Sequence, residues 1–575
     1  MQGHSLKVAA IQFEPTQCRK DENIQELLIL AEQAASNGAR LIVLPEMGTT
    51  GYCWQSREEV APYVETIPGA TTDRFAALAA RHDCWLVVGM PEVDAQDALY
   101  YNTAVLIGPQ GVIGQHRKTH PYISEPKWAA NGDVGHQVFS TPIGNIALLI
   151  CMDIHFIETA RLAALGGAEI ICHISNWLAE RTPAPYWLTR AWENGCALIE
   201  SNRWGNERGV QFSGGSCVMD SDGTLLTYCD GGDAIVAAEI LVPGYRSAAD
   251  NPWLRQRRPE LYKALMTNPF SWNPQDFFTL YGLQPLPPGK KSRVTVGQFT
   301  PRSDVEANLA MIRHQAEQAH AAGAELLVLP EKALTGSNPQ QALALTSREV
   351  ANLQHIAISY GLHLVCGLIE TDGTQRFNSA MLVGPEGILG SYRQIHLSEA
   401  DAQWANAGDR WAHYDLPCGR LGLLIGADLL LPESARMLAL QGCDIVACPA
   451  SLSQPLPLAH GGTAIPHGYP IPRAADAYHW LLPRVRAGEN NVWLAFANSQ
   501  DAASGSFGLS GIYGPDTFAF PRSERCQLEQ EGIATLDIDT GGLVNGWPTH
   551  VVRRKDLVQM RQPHYYKSLV AVNPD

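Results

Sequence analysis

The chain has 575 residues, 45% of them apolar and 17% charged, with a formal net charge of −16. That profile belongs to a soluble globular protein with large cores. Its acidity, with no long basic run, argues against nucleic acid or an anionic membrane as the main partner. The N-terminal MQGHSLKVAAIQF is too short and too weakly apolar for a signal peptide. No stretch approaches the about 18 uninterrupted apolar residues of a membrane span. The 13 cysteines are scattered and form no CxxC or Cys/His ligand spacing. Neither a disulfide framework nor a structural zinc site is expected, and the cytoplasm is the default location.

In chain order, Val8–Phe13 reads as a strand. Ile24, Leu27, Leu28, Ala31, Ala34 and Ala35 then recur at helical spacing, with Gly38 closing the helix. Leu41–Leu44 is a short buried strand, and Glu46 stands just past its end. Trp85–Val88 and Thr103–Ile107 follow, the latter inside a strand–turn–strand pattern, NTAVLIGPQGVIGQHR, that leads to Lys118. The apolar run Ile146–Ile150 suits a strand buried on both faces, with Cys151 at its end and a helix-like stretch over Glu158–Leu165 beyond it. Ile170–Ile174 and Ala197–Ile199 complete the series. Val/Ile/Leu-rich strands with helices between them imply a layered α/β domain.

The pattern then repeats, with a period the length of a domain. VAAIQFEPT at Val8–Thr16 returns as VTVGQFTPR at Val294–Arg302, and GARLIVLPEMGTTG at Gly38–Gly51 as GAELLVLPEKALTG at Gly323–Gly336. NTAVLIGPQGVIG returns as NSAMLVGPEGILG, NIALLICMD as RLGLLIGAD, and RRPELYKAL as RQPHYYKSL. Between the copies lies FFTLYGLQPLPPGKKS, whose Pro/Gly cluster at Pro285–Gly289 reads as a linker. The expected domains are residues 1–266 and 293–575, joined by a linker over 267–292.

Reactive groups in α/β folds collect at the carboxyl ends of strands, where Glu46, Lys118 and Cys151 all fall. Singly, each has an ordinary reading: packing for the cysteine, a solvated loop for the glutamate, the surface for the lysine beside Arg117. Together they make a chemical set. A thiol near pKa ~8.5 needs a base or a nearby cation to become a nucleophile. Glu46 can take its proton, and Lys118 can hold the oxyanion formed on an attacked carbonyl. The backbone N–H of Met152 can be a second donor.

LPE around Glu46, HRKTH around Lys118 and CMDIHFIETARLAALGGAEIICHISNW around Cys151 resemble the three signature segments of the nitrilase superfamily, the carbon–nitrogen hydrolases. RAWENGCALIESNRWG and FSGGSCVMDSDG resemble its later segments. The resemblance covers nearly all of the first copy and, more weakly, the second. It implies two tandem αββα sandwich domains packed as an intrachain αββα–αββα pseudo-dimer, with further homo-oligomers open. It also implies Glu46 as general base and acid, Lys118 on the oxyanion and Cys151 acylated, with no metal and no cofactor. Glu125 fits the further glutamate that helps to position substrate in that family. Tyr52, Trp177 and Arg203 are expected to shape the pocket, Arg203 by pairing with a substrate carboxylate. His155, where the family has Arg, is expected as a pocket wall.

The second copy keeps Glu331 but has Gln394 where Lys118 stands and Gly426 where Cys151 stands. Ser175–Trp177 becomes Ala450, Ser451 and Leu452. Cys443 and Cys448 fall outside the nucleophile position and read as packing. This copy is expected to be non-catalytic. For the first copy, Met152 and Asp153 after the cysteine fit the amidase and carbamoylase branches rather than the Trp-Glu pair of nitrile-cleaving members. The leading expectation is hydrolysis of a small linear amide, such as an omega-amide of a dicarboxylic acid, or of an N-carbamoyl compound, through a cysteine thioester. The alternatives are a nitrile hydrolase of the same fold, a glutaminase-type ammonia donor and a non-enzymatic binding or scaffold protein.

Overall fold

The structure is a computed structural model. It describes residues 3–178, 182–245, 247–268, 285–452, 481–501, 506–515, 525–528, 530–544, 547–548 and 550–572. Residues 269–284 of the expected linker lie outside the described residues. The described residues form two compact units that meet in the chain at Arg255 and Gln256.

In the first unit, β1 (His4–Gln12) runs parallel to β2 (Leu41–Val43), and β2 runs parallel to β3 (Trp85–Val93). β4 (Tyr100–Gly108) and β5 (Gly111–Arg117) extend this sheet as antiparallel hairpins, and β12 (Ala234–Val242) closes its other edge against β1. The sheet order is β12-β1-β2-β3-β4-β5. The second sheet is built from β6 (Val138–Thr141), β7 (Gly144–Ile150), β8 (Ile170–Ser175), β9 (Ala197–Asn202), β10 (Cys217–Met219) and β11 (Leu225–Tyr228). Its order is β11-β10-β9-β8-β7-β6, with β7, β8 and β9 parallel. β1 and β2 lie against β8 and β9, so the two sheets stack face to face.

Helices cover the outer faces. Ala9 and Ile11 of β1 point to one side of the pleat and pack with Ile24, Leu27 and Ala31 of α1 (Lys20–Ser36) and with Phe75 and Leu78 of α2 (Ala70–His82). The helical spacing read from the sequence thus marks the face of α1 that is buried. α3 (Ile157–Leu165) and α4 (Pro185–Asn194) follow β7 and β8. A strand buried on both faces needs an apolar run without alternation, and Ile146–Ile150 is buried throughout.

The second unit repeats the plan. Its sheets comprise strands Lys291–Gln298, Leu326–Val328, His363–Asp372, Gln375–Gly384, Gly387–Arg393 and Gly532–Asp539, and strands from His413–Leu416 to Arg525–Gln527. Val294, Val328, Leu382, Leu421, Leu423 and Ile445 belong to one core between those sheets, and Leu309, Ile312, Leu353 and Ile356 to another under the helices. Residues 256–268 belong to this unit. There Tyr262 Oη lies 2.7 Å from His396 Nε2, and Arg257 Nε donates to Glu433 Oε1 at 2.7 Å.

Candidate active site

Three turns carry the site. After β2 the chain passes through Leu44 and Pro45 to Glu46, and Met47 takes a left-handed φ of +52°. β3 crosses close behind this turn at Gly89, where a Cβ would stand 2.4 Å from the Pro45 carbonyl oxygen, so only glycine fits. β5 ends at Arg117, and Lys118 N donates to the Asn102 carbonyl at 2.8 Å. β7 ends at Ile150, and Cys151 turns the chain with φ +45°. A non-glycine residue in that region is strained and persists where its surroundings over-determine it. Here Asp153 does so. It is fully buried and accepts from Ile150 N at 3.1 Å, His120 N at 3.0 Å and Thr119 Oγ1 at 2.8 Å. Its Oδ2, the oxygen that accepts from Ile150 N, also lies 2.9 Å from His116 Nε2. Burial opposes ionisation of Asp153, but the hydrogen bonds from His116 and His120 prevail and hold its carboxyl well below the usual range.

Lys118 Nζ stands 2.8 Å from Glu46 Oε1 and 2.5 Å from Glu125 Oε2. All three side chains are buried. Burial alone would pull the lysine down, but Glu125 and Glu46 outweigh it and hold Lys118 well above its ordinary value, as an ammonium. Burial raises Glu125, which Lys118 counters in part. Asn102 Nδ2 donates to Glu46 Oε1 and to Glu125 Oε1, at 2.6 Å each. Tyr52 Oη donates to Glu125 Oε2 at 3.1 Å, and Asn176 N to Glu46 Oε2 at 2.7 Å. Burial, with Glu46 next, pushes the Cys151 thiol well above its ordinary range. The resting group is therefore a thiol, which needs a base to become a nucleophile.

A small cavity of about 20 Å³ opens beside the thiol, lined by Tyr122, Cys151, Met152, His155, Asn176, Trp177 and Leu178. His155 stacks on Trp177 at 4.7 Å between ring centres, with 3° between planes. Burial, with Arg190 next, depresses His155 to about 3, so the ring is neutral. Of the residues singled out in the sequence, Met152, His155 and Trp177 thus line the cavity, and Glu125 and Tyr52 meet at Lys118. Arg203 lies elsewhere, with Nη1 2.6 Å from Glu207 Oε2 and its guanidinium 4.3 Å from the centre of the Phe212 ring. Glu207 Oε1 in turn accepts from Tyr52 N at 2.9 Å. Arg203 therefore reaches the site through the loop that carries Tyr52.

Asn102 joins the site unexpected from the sequence, and Asn176, expected only as part of the segment Ser175–Trp177, joins it as a donor to Glu46. Asn102 had left a signal, since an asparagine opens the repeated NTAVLIGP/NSAMLVGP segment in both copies. In the second unit Asn378 Nδ2 likewise donates to Glu331 Oε1 and to Gln394 Oε1, at 2.8 Å each. A second feature left no such signal. Lys332, in the place of Met47, puts Nζ 3.0 Å from Glu331 Oε1 and 2.7 Å from Asp401 Oδ1. Asp401 stands where Glu125 does. The cation absent from position 394 thus enters from the turn after the strand Leu326–Val328, which two strands separate from Gly387–Arg393 in the sheet. Gly426 keeps a left-handed φ of +39°, but a Cβ there would stand 2.4 Å from Glu331 Oε2. Among the described residues, no group of three or more His, Cys, Asp or Glu side chains is arranged to hold a metal ion. None of the described helices is long and apolar enough to cross a membrane.

Residues 7–250 and again 293–545 match the model of the carbon-nitrogen hydrolase family. The chain is 34% identical over 262 residues to a nitrilase of Pyrococcus abyssi, covering 45% of this chain and 99% of that protein. It is 32% identical over 217 residues to a formamidase of Bacillus thuringiensis, covering 36% of this chain and 63% of that protein. Among solved structures, a carbon-nitrogen hydrolase from Helicobacter pylori G27 aligns with a TM-score of 0.40 and 27% identity, over 46% of this chain and 99% of that one. An amidase from Nesterenkonia sp. aligns with a TM-score of 0.40 and 24% identity, over 46% and 97%. With both halves matched by one family model and the same two-sheet plan in each unit, the chain belongs to the carbon–nitrogen hydrolase family as a tandem duplication.

Proposed function

We propose that the first unit hydrolyses a small uncharged amide or N-carbamoyl compound through a thioester on Cys151. The observation that carries this reading is the meeting of Lys118 with Glu46 and Glu125, three charged side chains from separate segments, all buried where β7 delivers the thiol. Buried acidic and basic groups gathered around a thiol are what acyl-transfer chemistry needs. In the first step Glu46 takes the Cys151 proton as Sγ bonds to the substrate carbonyl carbon. The carbonyl oxygen becomes an oxyanion, held by the Lys118 ammonium and the Met152 N–H. Glu46 then gives its proton to the departing nitrogen as the C–N bond breaks, leaving ammonia or an amine and a thioester. Water, deprotonated by Glu46, attacks the thioester, and the acid leaves as the Cys151 thiol is re-formed.

The cavity argues for a small, uncharged acyl part. Its volume corresponds to roughly one or two waters. Its described lining carries no charged group at neutral pH, because Cys151 rests as a thiol and His155 is held neutral. Arg203 is engaged by Glu207, which weighs against a dicarboxylic omega-amide recognised through that arginine. The second unit is proposed to be non-catalytic, since position 426 has no side chain to attack a carbonyl and the Glu331 carboxylate crowds the space a cysteine would need. The test is ammonia or amine release from short aliphatic amides, N-carbamoyl amines and nitriles, run beside Cys151→Ala. Release from the amides or carbamoyl compounds, abolished in the variant, is the expected result. Release from nitriles alone, or release that survives in Cys151→Ala, would overturn the reading.

A further inference from the structure

Behind the nucleophile lies a buried pair that the mechanism above does not use. His173 on β8 and Glu200 on β9 are cross-strand neighbours, both fully buried. His173 Nδ1 is hydrogen-bonded to Glu200 Oε2. Its Nε2 lies 3.0 Å from the Cys151 carbonyl oxygen. A carbonyl oxygen only accepts, so Nε2 carries the proton and donates. Ser175 Oγ, also on β8, lies 2.5 Å from Glu200 Oε1 and 2.9 Å from Asn202 Oδ1. Burial raises the Glu200 carboxyl, so it can keep its proton and donate it to Nδ1 while Nε2 donates to the carbonyl. Both its oxygens are thereby engaged, and the imidazole is held in one orientation against the turn.

The duplicated chain supplies an internal control. What builds the turn is present in both copies. Asp428 accepts from Ile425 N and His396 N as Asp153 does from Ile150 N and His120 N. Arg486 Nε donates to the Leu429 carbonyl at 2.9 Å, as Arg190 Nε does to the Ile154 carbonyl at 3.0 Å. The left-handed φ is kept, +45° at Cys151 and +39° at Gly426. The histidine pair is not kept. Cys448 stands in the place of His173, Phe496 in that of Glu200 and Ala450 in that of Ser175, with Cys448 and Phe496 still cross-strand neighbours. The copy without a nucleophile has therefore kept the turn and lost the pair, so a turn built on glycine forms without it.

We propose that His173, oriented by Glu200, is a positioning residue for the oxyanion site: by holding the Cys151 carbonyl it aims the Met152 N–H at the substrate oxygen. The link is the planarity of the peptide bond. In a trans peptide the C=O of Cys151 and the N–H of Met152 lie in one plane and point in opposite directions. Fixing the carbonyl toward β8 fixes the N–H away from it. A hydrogen bond accepted by the carbonyl also polarises the same amide, which strengthens its N–H as a donor. The inference rests on the acyl-transfer reading for the use of that N–H, and its test separates the two.

The test compares two reactions of Cys151 in the full-length protein, with the modified cysteine identified by peptide mass. Acylation by 4-nitrophenyl acetate passes through an oxyanion. Alkylation by iodoacetamide displaces iodide at a saturated carbon and forms none. In His173→Cys/Glu200→Phe, which installs the second copy's own residues, the acylation burst should slow roughly 10- to 100-fold while alkylation stays within about twofold of wild type. His173→Gln, which keeps a donor, should recover part of the acylation rate. For an amide that is turned over, kcat should fall with little change in KM. Equal loss of acylation and alkylation would assign the pair to fold or thiol placement and overturn the proposal, as would no loss of either. Should the wild type hydrolyse no amide or carbamoyl compound, the proposed function fails, yet the ratio of acylation to alkylation still decides the role of His173.

Discussion

Lys332 Nζ lies 2.7 Å from Asp401 Oδ1, which places a lysine on the second unit's counterpart of Glu125 although the lysine of the first unit's site, Lys118, is replaced there by Gln394. Burial opposes the charge on Lys332, and Glu331 and Asp401 outweigh it and hold the lysine protonated, well above its ordinary value. Two carboxylates in a core require a cation, and removing one partner of a buried ion pair typically costs about 3–5 kcal/mol. Lys332→Met should therefore lower the stability of the second unit by roughly 3 kcal/mol. Gln394→Lys in the same chain should recover part of that loss, because Gln394 occupies the position from which Lys118 reaches its two glutamates. Urea unfolding of the full chain measures both, and an unshifted transition in Lys332→Met would refute the role of this lysine as counter-ion.

Restoring a thiol at position 426 should not restore chemistry. The Glu331 carboxylate stands where the new Cβ must go, and it is tied down by Asn378 at 2.8 Å and by Ser451 N at 3.1 Å. Gly426→Cys, made in a Cys151→Ala background, should release no ammonia from any substrate the wild type cleaves. Turnover near the wild-type rate would show that Glu331 swings aside readily.

Arg203 and Glu207 should behave as one unit. Their ion pair holds the carboxylate that accepts from the Tyr52 N–H, and Tyr52 in turn donates to Glu125. Arg203→Met and Glu207→Gln should each reduce activity, and the double variant should be little worse than either, with a coupling energy of about 1–3 kcal/mol in a double-mutant cycle. If Arg203 instead bound a substrate carboxylate, Arg203→Met would raise KM for anionic amides alone, and Glu207→Gln would not reproduce it.

His155 makes stability depend on acid. The folded protein holds its ring at about 3, whereas the unfolded chain protonates it near the ordinary 6.5. Between those values the unfolded state binds the extra proton, so this group's contribution is neutral above about 6.5 and turns destabilising as pH falls toward 3, by up to ~1.4 kcal/mol per unit. His155→Phe keeps an aromatic ring against Trp177 and should flatten that slope by about one proton's worth. Unfolding free energies from pH 7 to 4 measure it, and an unchanged slope would mean that the ring is protonated in the folded state.

By itself, the sequence determined the parts that local patterning encodes. Apolar runs marked the strands, helical spacing marked the buried face of α1, and the repeated motifs exposed the duplication. Glu46, Lys118 and Cys151 were legible because each stands at a strand end, a position that a short stretch of chain defines on its own. The tertiary structure alone decided how those ends are joined. Asn176 reaches Glu46 across 130 residues, and the Asn102 amide bridges two glutamates from different turns. Lys332 replaces a lysine from another strand, and His173 meets Glu200 only through the register of β8 and β9. Such contacts arise from strand order and from the stacking of one sheet on another. Residues distant in the chain come within hydrogen-bonding reach there, and no local periodicity records which of them will meet.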